Sequence, residues 1–382
     1  MSGIQAERTT QVEEKKQRDS NFELMRIVAM LLIVLHHLCQ QGLWFSAENS
    51  HSLNSNVASS FSVWTGLLGN WLFILISGYF GAVTNFSWKK VFKLWFQIFF
   101  TSATIGLVLY FLKTPVIGFS NDGYPARSFF EAAQPMTRKD LIRSLLPTLK
   151  SNNWFASTYL VFYVFLPFLS LSLKSLPEKM HRNLIVTMMV MGTVLPYLWF
   201  QQMYVASKLF YFILGFYIAS YIRIYNPGFL ESGRKNLIAG IFLCLCFGAW
   251  NFVMVSYGER IPFVKNHFAF VYLYPYGGFE KIPVLICAVF IFGFFKNLKI
   301  SFSRFINIVA GTTFGVYLIH ENLLLNKIIW HRICGLDKWT SSSMLIPYML
   351  VVVPAVFACC SAIEFARQII IERPLMRLLD RK

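Results

Sequence analysis

The sequence is short of charge. Acidic and basic residues together make up 14% of its 382 residues, whereas soluble domains are usually near one quarter charged. Apolar residues make up 56%, and they occur in blocks of roughly 18–25 residues, the length that a helix needs to cross a bilayer. The composition therefore argues against a soluble globular domain and predicts an all-α, polytopic transmembrane helical bundle embedded in a lipid bilayer.

Acidic residues are the scarcer of the two charged classes. There are 18 of them against 35 lysines and arginines, which gives a formal net charge of +17. A nucleic-acid-binding protein gathers its basic residues on one exposed surface. Here they stand mostly between apolar blocks, as the positive-inside rule describes, so we expect no nucleic-acid partner.

Cysteines are few and follow no ligand pattern. The seven form no CxxC pair and no His/Cys spacing typical of zinc, and all but Cys334 lie in apolar stretches. We expect small core residues rather than a disulfide framework or a metal site. The first twenty residues also lack the apolar core of a cleavable signal peptide, so we expect the first span to act as the insertion signal.

Ten apolar blocks are long enough to be spans. Inner segments would then carry 21 of the 35 basic residues, which favours both termini on the inside. We expect a cytoplasmic tail at 1–21, a transmembrane domain at 22–366 and a second cytoplasmic tail at 367–382. The predicted spans are 22–40, 61–84, 92–112, 153–173, 184–201, 207–224, 236–255, 279–296, 305–325 and 344–366.

Two outer segments stand out. The long loop 113–152 contains "TRKDLIRSLLPTL", a helix-start signal followed by an amphipathic stretch. It predicts a short helix, either lying on the membrane or covering an outward-facing cavity. The aromatic stretch "PFVKNHFAFVYLYPYGG" at 262–278 fits an interfacial belt or a surface that stacks on sugar rings.

The first span carries ionisable residues at both ends. In "RIVAMLLIVLHH" (26–37), Arg26 and His37 are eleven residues apart, which places them within about 20° of one helix face and roughly 16 Å apart along the axis. Glu23 lies one turn before Arg26 and can pair with it. An arginine inside a span costs roughly 2.5–3.5 kcal/mol, so such residues usually face a cavity. The alternative is a snorkelling arginine and an interfacial histidine.

A second histidine ends the ninth predicted span. "FGVYLIHENLL" places His320 and Glu321 at the outer end, with Tyr317 one turn earlier. The topology puts His37 and His320 at one membrane level, where a base and its orienting partner would meet. The alternative is a span end returning to water.

Three further groups have a functional and a structural interpretation. The lysines of "SWKKVFKLW" fit the positive-inside rule or a phosphate-bearing cytosolic ligand. Ser77, in "LISGYFG", fits close helix packing beside Gly78 or a substrate contact. Trp154 fits the aromatic belt or the cavity mouth beside His37. The lysines are Lys89, Lys90 and Lys93.

Together these segments resemble the acyltransferase-3 family, integral-membrane O-acyltransferases of bacterial cell-surface glycans. The family hallmark is an arginine, ten residues and a histidine, which Arg26 and His37 match. The similarity runs over about 18–376, with two departures: "GNWLF" lacks a frequent aspartate, and Lys90 and Lys93 replace an Arg-x-x-Arg pair. Four further segments carry the resemblance, in chain order: "FILISGYF", "WFASTYLVFYVFLPFLS", "GVYLIHE" and "IERPL".

The resemblance implies transfer of an acyl group, by family default acetyl, from cytosolic acyl-CoA to a hydroxyl of a cell-surface polysaccharide or lipid-linked glycan. It places the chain in the bacterial plasma membrane, with acetyl-CoA as co-substrate and no bound cofactor. His37 would be the general base or carry the acyl group, and His320 or Glu321 would orient it. Arg26 and the three lysines would hold the donor.

Two other function classes fit ten spans and a polar stripe. A transporter or flippase for a small molecule or lipid-linked sugar would move its substrate without covalent change and without acyl-CoA. A sensor of a glycan or cell-wall precursor would bind without turnover.

Overall fold

The computed structural model describes residues 18–43, 53–61, 64–83, 86–116, 133–148, 153–194, 208–266 and 281–379. Its regular structure is helical except for one two-residue antiparallel ladder, β1 with β2, in which Pro115 faces Pro135 and Val116 faces Gln134. The predicted all-α class is confirmed.

The helices of the first half are α1 (Ser20–His37), α2 (Leu53–Ser59), α3 (Trp64–Gly81), α4 (Trp88–Phe111), α5 (Arg138–Leu145), α6 (Trp154–Leu173) and α7 (Glu178–Met189). Strands β1 (Pro115–Val116) and β2 (Gln134–Pro135) lie between α4 and α5. The helices of the second half are α8 (Lys208–Tyr225), α9 (Gly233–Tyr257), α10 (Pro262–Asn266), α11 (Ile282–Asn297), α12 (Arg304–Ala310), α13 (Thr313–His320), α14 (Leu345–Arg367) and α15 (Arg373–Leu379).

Among the residues that the structure describes, five helical segments are long and apolar enough to cross a membrane, and they coincide with the first, third, fourth, seventh and tenth predicted spans. Large apolar side chains on them point outward: Phe168 is 69% exposed and Leu245 is 67% exposed. Such surface is stable in lipid rather than in water, so the chain is an integral membrane protein. The count of ten spans and the inward orientation of both termini stay predictions.

Helix α1 lies at the centre of the bundle. It packs against α3, α11, α12, α13 and α14, and Met25, Ala29 and Val34 are fully buried. The close approach expected beside Ser77 occurs between α3 and α8, because a Cβ on Gly78 would lie 2.8 Å from the Cα of Phe216. This packing surrounds the Arg26–His37 stripe with protein.

The ninth predicted span, 305–325, is not one helix. It divides into α12 and α13 at a turn over Gly311 and Thr312, and α13 ends at His320 rather than at residue 325. The stretch "GTTFG" at 311–315 places small and polar residues at the break, a signal that the prediction of one continuous span did not use. The helix of the fifth predicted span begins six residues early, at Glu178, directly after Pro177.

The amphipathic helix predicted in the outer loop is confirmed as α5. Thr137 and Asp140 form a capping box at its start, the sequence signature of a helix N-terminus. Its Ser144 carbonyl accepts a 2.8 Å hydrogen bond from the Ser102 hydroxyl of α4. The aromatic stretch falls, from residue 267 onward, outside the described residues.

Candidate functional site

The two predicted histidines are in contact. Nδ1 of His37, the last residue of α1, lies 2.9 Å from Nε2 of His320, the last residue of α13. Both are buried, His320 completely and His37 to within 8% exposure. The alternative, in which these side chains return to water at span ends, does not describe this geometry.

The main chain sets the protonation pattern of this pair. Nδ1 of His320 lies 2.6 Å from the carbonyl oxygen of Val316. Because a carbonyl only accepts, Nδ1 of His320 carries its proton and Nε2 of the neutral ring accepts. Nδ1 of His37 then donates to it, and Nε2 of His37 holds a lone pair. A neutral histidine in this tautomer can take a proton at Nε2.

Two charged side chains flank the pair. The Glu321 carboxylate lies 3.4 Å from Nδ1 of His37. Lys327, in the turn region beyond α13, is only 8% exposed. Burial lowers the pKa of the Lys327 ammonium to about 7, against an opposing effect of the Glu321 carboxylate. A positive charge that develops on His37 would therefore lie next to a carboxylate.

Aromatic rings surround the inner side of the pair. The Tyr317 ring centroid lies 6.5 Å from that of His37 and 6.4 Å from that of His320. Phe155 packs edge-on against Tyr317 at 5.6 Å, and Phe314 stacks on it at 6.5 Å. Tyr317 is thus part of the site.

Ser77 and Trp154 lie one layer further out. The Ser77 hydroxyl donates to the carbonyl of Phe73 at 2.8 Å and lies 3.3 Å from the Tyr159 hydroxyl, so it joins the helix backbone and the aromatic layer. Trp154 packs on Phe155, and the Lys208 ammonium lies 4.1 Å from its ring centroid.

The other end of α1 borders a cavity of about 660 Å³. Arg26 lines it, as predicted for a residue facing a cavity, and Nε of Arg26 lies 3.5 Å from the Glu23 carboxylate. Arg18 pairs with the same carboxylate at 3.7 Å. Lys90 and Arg223 also line the cavity. It therefore gathers four cationic side chains from three segments against the carboxylates of Asp19 and Glu23, since Arg18 and Arg26 both lie at the start of α1.

Two of these cations are available to a ligand. Within the described part of the chain, neither Lys90 nor Arg223 has a carboxylate partner. The Arg223 guanidinium lies over the Tyr79 ring, 4.6 Å from its centroid. Stacking fixes the plane of a guanidinium and leaves its N–H edge open. This arrangement fits a phosphate-bearing anion.

The three predicted lysines go to different places at the start of α4. All three, including Lys89, are exposed. Lys90 lines the cavity, and Lys93 forms a 2.7 Å ion pair with Glu372. Phe314 also lines the cavity and stacks on Tyr317, so a chain of ring contacts runs from the cavity lining through Tyr317 to the histidine pair.

A family model covers nearly all of this architecture. The model of the acyltransferase 3 family, described as an acyltransferase domain, matches residues 19–365. The chain belongs to the acyltransferase 3 family. No curated protein and no solved structure matches the chain.

This acyltransferase is therefore an enzyme that takes an acyl donor and an acyl acceptor, which favours turnover over the transporter and sensor alternatives. The match begins just before α1 and ends within α14, so it includes the histidine pair and all the cavity cations except Arg18.

Some residues of the two sites carried no distinctive sequence signal. Arg18 and Arg223 look like ordinary inner-side charges, and only the fold brings them to the cavity. Lys327 follows the apolar "NLLLN" run, and a lysine at the end of such a run is equally typical of a helix leaving the membrane.

Proposed function

We propose that this acyltransferase moves an acetyl group from cytosolic acetyl-CoA to a hydroxyl of a cell-surface polysaccharide or its lipid-linked precursor, in a bacterial plasma membrane. The observation that carries the proposal is the hydrogen-bond chain from Val316 through His320 to His37, which leaves Nε2 of His37 as a proton acceptor. Acyl transfer to a hydroxyl needs such a base.

The donor enters at the Arg26 end of α1. Coenzyme A carries several phosphate groups, and the cavity offers Arg26, Lys90 and Arg223 within about 660 Å³. Charge-assisted hydrogen bonds from arginine to phosphate are among the stronger polar contacts. Lys89 and Lys93 stay predicted donor contacts at the same helix start. The thioester arm would extend along α1, past the ring of Phe314, toward His37.

His37 then performs the proton transfer. Its Nε2 removes the proton from the acceptor hydroxyl while the hydroxyl oxygen attacks the thioester carbonyl. The new C–O ester bond forms, the C–S bond breaks, and the thiolate of coenzyme A takes the proton from His37. His320 holds the imidazole through Nδ1, and Glu321 stabilises its transient positive charge at 3.4 Å. Ordered base catalysis of this kind contributes roughly 10²–10⁴-fold.

Deletion of the gene tests the proposal directly. Surface polysaccharides purified from the deletion strain should lack an O-acetyl resonance in the proton NMR spectrum, and the wild-type gene should restore it. Membranes of the complemented strain should release free CoA thiol from acetyl-CoA. Unchanged O-acyl content in every surface glycan, with no CoA release, would show that the reaction is a different acyl transfer.

A further inference from the structure

An ion network near the cavity centres on Glu364, a buried acid that has no part in the reaction just described. Arg367, the last residue of α14, donates from Nε and Nη2 to the two oxygens of Glu364, both at 2.7 Å, and from Nη2 to Glu372. Gln97 of α4 donates to Glu364 at 3.0 Å, and Lys93 pairs with Glu372 at 2.7 Å. Two cations and two carboxylates balance, and Glu364 is fully buried.

Glu364 lies directly against helix α13. A Cβ built on Gly315 would be 2.2 Å from Cγ of Glu364 and 2.5 Å from its Oε2, so the backbone of α13 approaches the acid as closely as glycine permits. Gln368 donates both to Glu364, at 2.8 Å, and to the carbonyl of Gly311, at 2.9 Å. The network thus holds this segment at two points four residues apart, about one helical turn.

Helix α13 depends on such contacts for its position. It has eight residues, with the turn over Gly311 and Thr312 before it and a turn at Glu321 after it. Isolated helices shorter than about 12–15 residues are marginal, so packing must set its rotation and height. Gly315 immediately precedes Val316, whose carbonyl sets the tautomer of His320.

We propose that Glu364 is a positioning residue for acyl transfer. Its carboxylate, held by Arg367 and Gln97, keeps α13 where the Val316 carbonyl and His320 align with His37. The Lys93–Glu372 pair ties the same network to α4, one turn from the cavity residue Lys90, so the donor side and the histidine side share one rigid connection. The inference rests on the proposed function, because it assigns His37 and His320 to the reaction.

Glu364→Gln tests the inference in the full-length protein, in membrane vesicles. The matched control is Arg377→Gln, an exposed basic residue of α15 outside the network. We expect E364Q to lower the maximal rate of CoA release from acetyl-CoA about tenfold or more, since a misplacement of around 1 Å can cost 10²-fold. The KM for acetyl-CoA should stay within about twofold, because the cavity cations are untouched. R377Q should match wild type in both.

An unchanged rate in E364Q overturns the inference, and so does an equal loss of acetyl-CoA binding, which would assign the network to the cavity alone. Wild-type vesicles that release no CoA would instead contradict the proposed function.

If E364Q fails to accumulate in the membrane, a pair of compensating size changes at Gly315 and Glu364 tests the inference instead. Gly315→Ala should lose CoA release, and Gly315→Ala with Glu364→Asp, which shortens the acid, should regain part of it. A double variant as inactive as Gly315→Ala would overturn the inference.

Discussion

His320 holds His37 through a hydrogen bond of 2.9 Å whose direction is set outside the pair. Nδ1–H of His320 donates a hydrogen bond to the Val316 carbonyl. Nε2 of His320 therefore has no proton and must accept a hydrogen bond from His37. One backbone carbonyl therefore determines which nitrogen of His37 keeps its lone pair. In the proposed mechanism, His320 is an orienting group rather than a second base.

The first prediction concerns His320. Replacement by leucine removes the hydrogen-bond acceptor for Nδ1 of His37. The rate of acyl transfer should fall about 10²-fold, the low end of the range that general base catalysis contributes. Replacement by glutamine restores an amide oxygen near the same place and should recover part of the rate. The measurement is CoA release by membrane vesicles at equal protein levels. Equal activity in the leucine variant would remove His320 from the mechanism.

The second prediction concerns Glu321. Its carboxylate lies 3.4 Å from Nδ1 of His37, too long for a strong hydrogen bond but close enough to stabilise a positive ring. Glu321→Gln should lower the maximal rate about tenfold, less than loss of a direct oxyanion donor, with no change in the KM for acetyl-CoA. Glu231→Gln, an exposed acid, is the control. A change in KM alone would place Glu321 in substrate binding instead.

The third prediction concerns the cavity. Arg223 lies over Tyr79 and has no carboxylate partner among the described residues, so Arg223→Gln should raise the Kd for acetyl-CoA about tenfold, the value of one charge-assisted hydrogen bond. Arg182→Gln, exposed at the start of α7, should bind as wild type. Calorimetry on purified protein gives both values. Acetyl-pantetheine, which lacks the nucleotide phosphates, should not distinguish R223Q from wild type, and an equal loss for both ligands would contradict the assignment.

The fourth prediction is a pH dependence of stability. His181 lies ahead of the fifth predicted span, fully buried, and its Nε2 donates to the carbonyl of Tyr217 at 2.9 Å. Burial lowers its pKa below 6.5, against a smaller raising effect of that hydrogen bond. As pH falls below 6.5, His181 is therefore protonated more readily in the unfolded chain than in the folded protein. Its contribution to folded-state stability is highest at neutral pH and declines in acid.

His181→Gln keeps a donor for the carbonyl and removes the titration. Between about pH 7.5 and 5.5, its thermal midpoint in detergent should fall less than that of wild type. Parallel curves for the two proteins would show that His181 makes no contribution in this range.

Much of the fold follows from the sequence because membrane spans are set by long apolar blocks. The residues that carry the Arg26–His37 stripe were predictable for the same reason: helix periodicity fixes their shared face. Periodicity and charge also placed His320 at the level of His37. Periodicity and charge did not give the distance between His320 and His37, because that distance depends on where α13 ends.

The break at Gly311 and Thr312 was missed because the predicted span ran through the small and polar stretch "GTTFG" at 311–315. The turn there is held by Gln368, which donates to the Gly311 carbonyl. The network of Glu364, Arg367 and Glu372 was missed for a related reason. Charges at the end of an apolar block look like a span boundary, and only tertiary contacts show that they are buried and paired. Arg223 is another such case.

The most direct test of the central claim compares adjacent histidines. His37→Gln and His36→Gln change neighbouring residues of one helix: Nδ1 of His37 lies 2.9 Å from Nε2 of His320, while the His36 ring packs over Gly66 of α3. Each variant is expressed in the deletion strain at wild-type level, and the O-acetyl content of the purified surface polysaccharide is measured by proton NMR. H37Q should lose its O-acetyl groups, and H36Q should keep a normal content. Normal content in H37Q would contradict the assignment of His37 as the base.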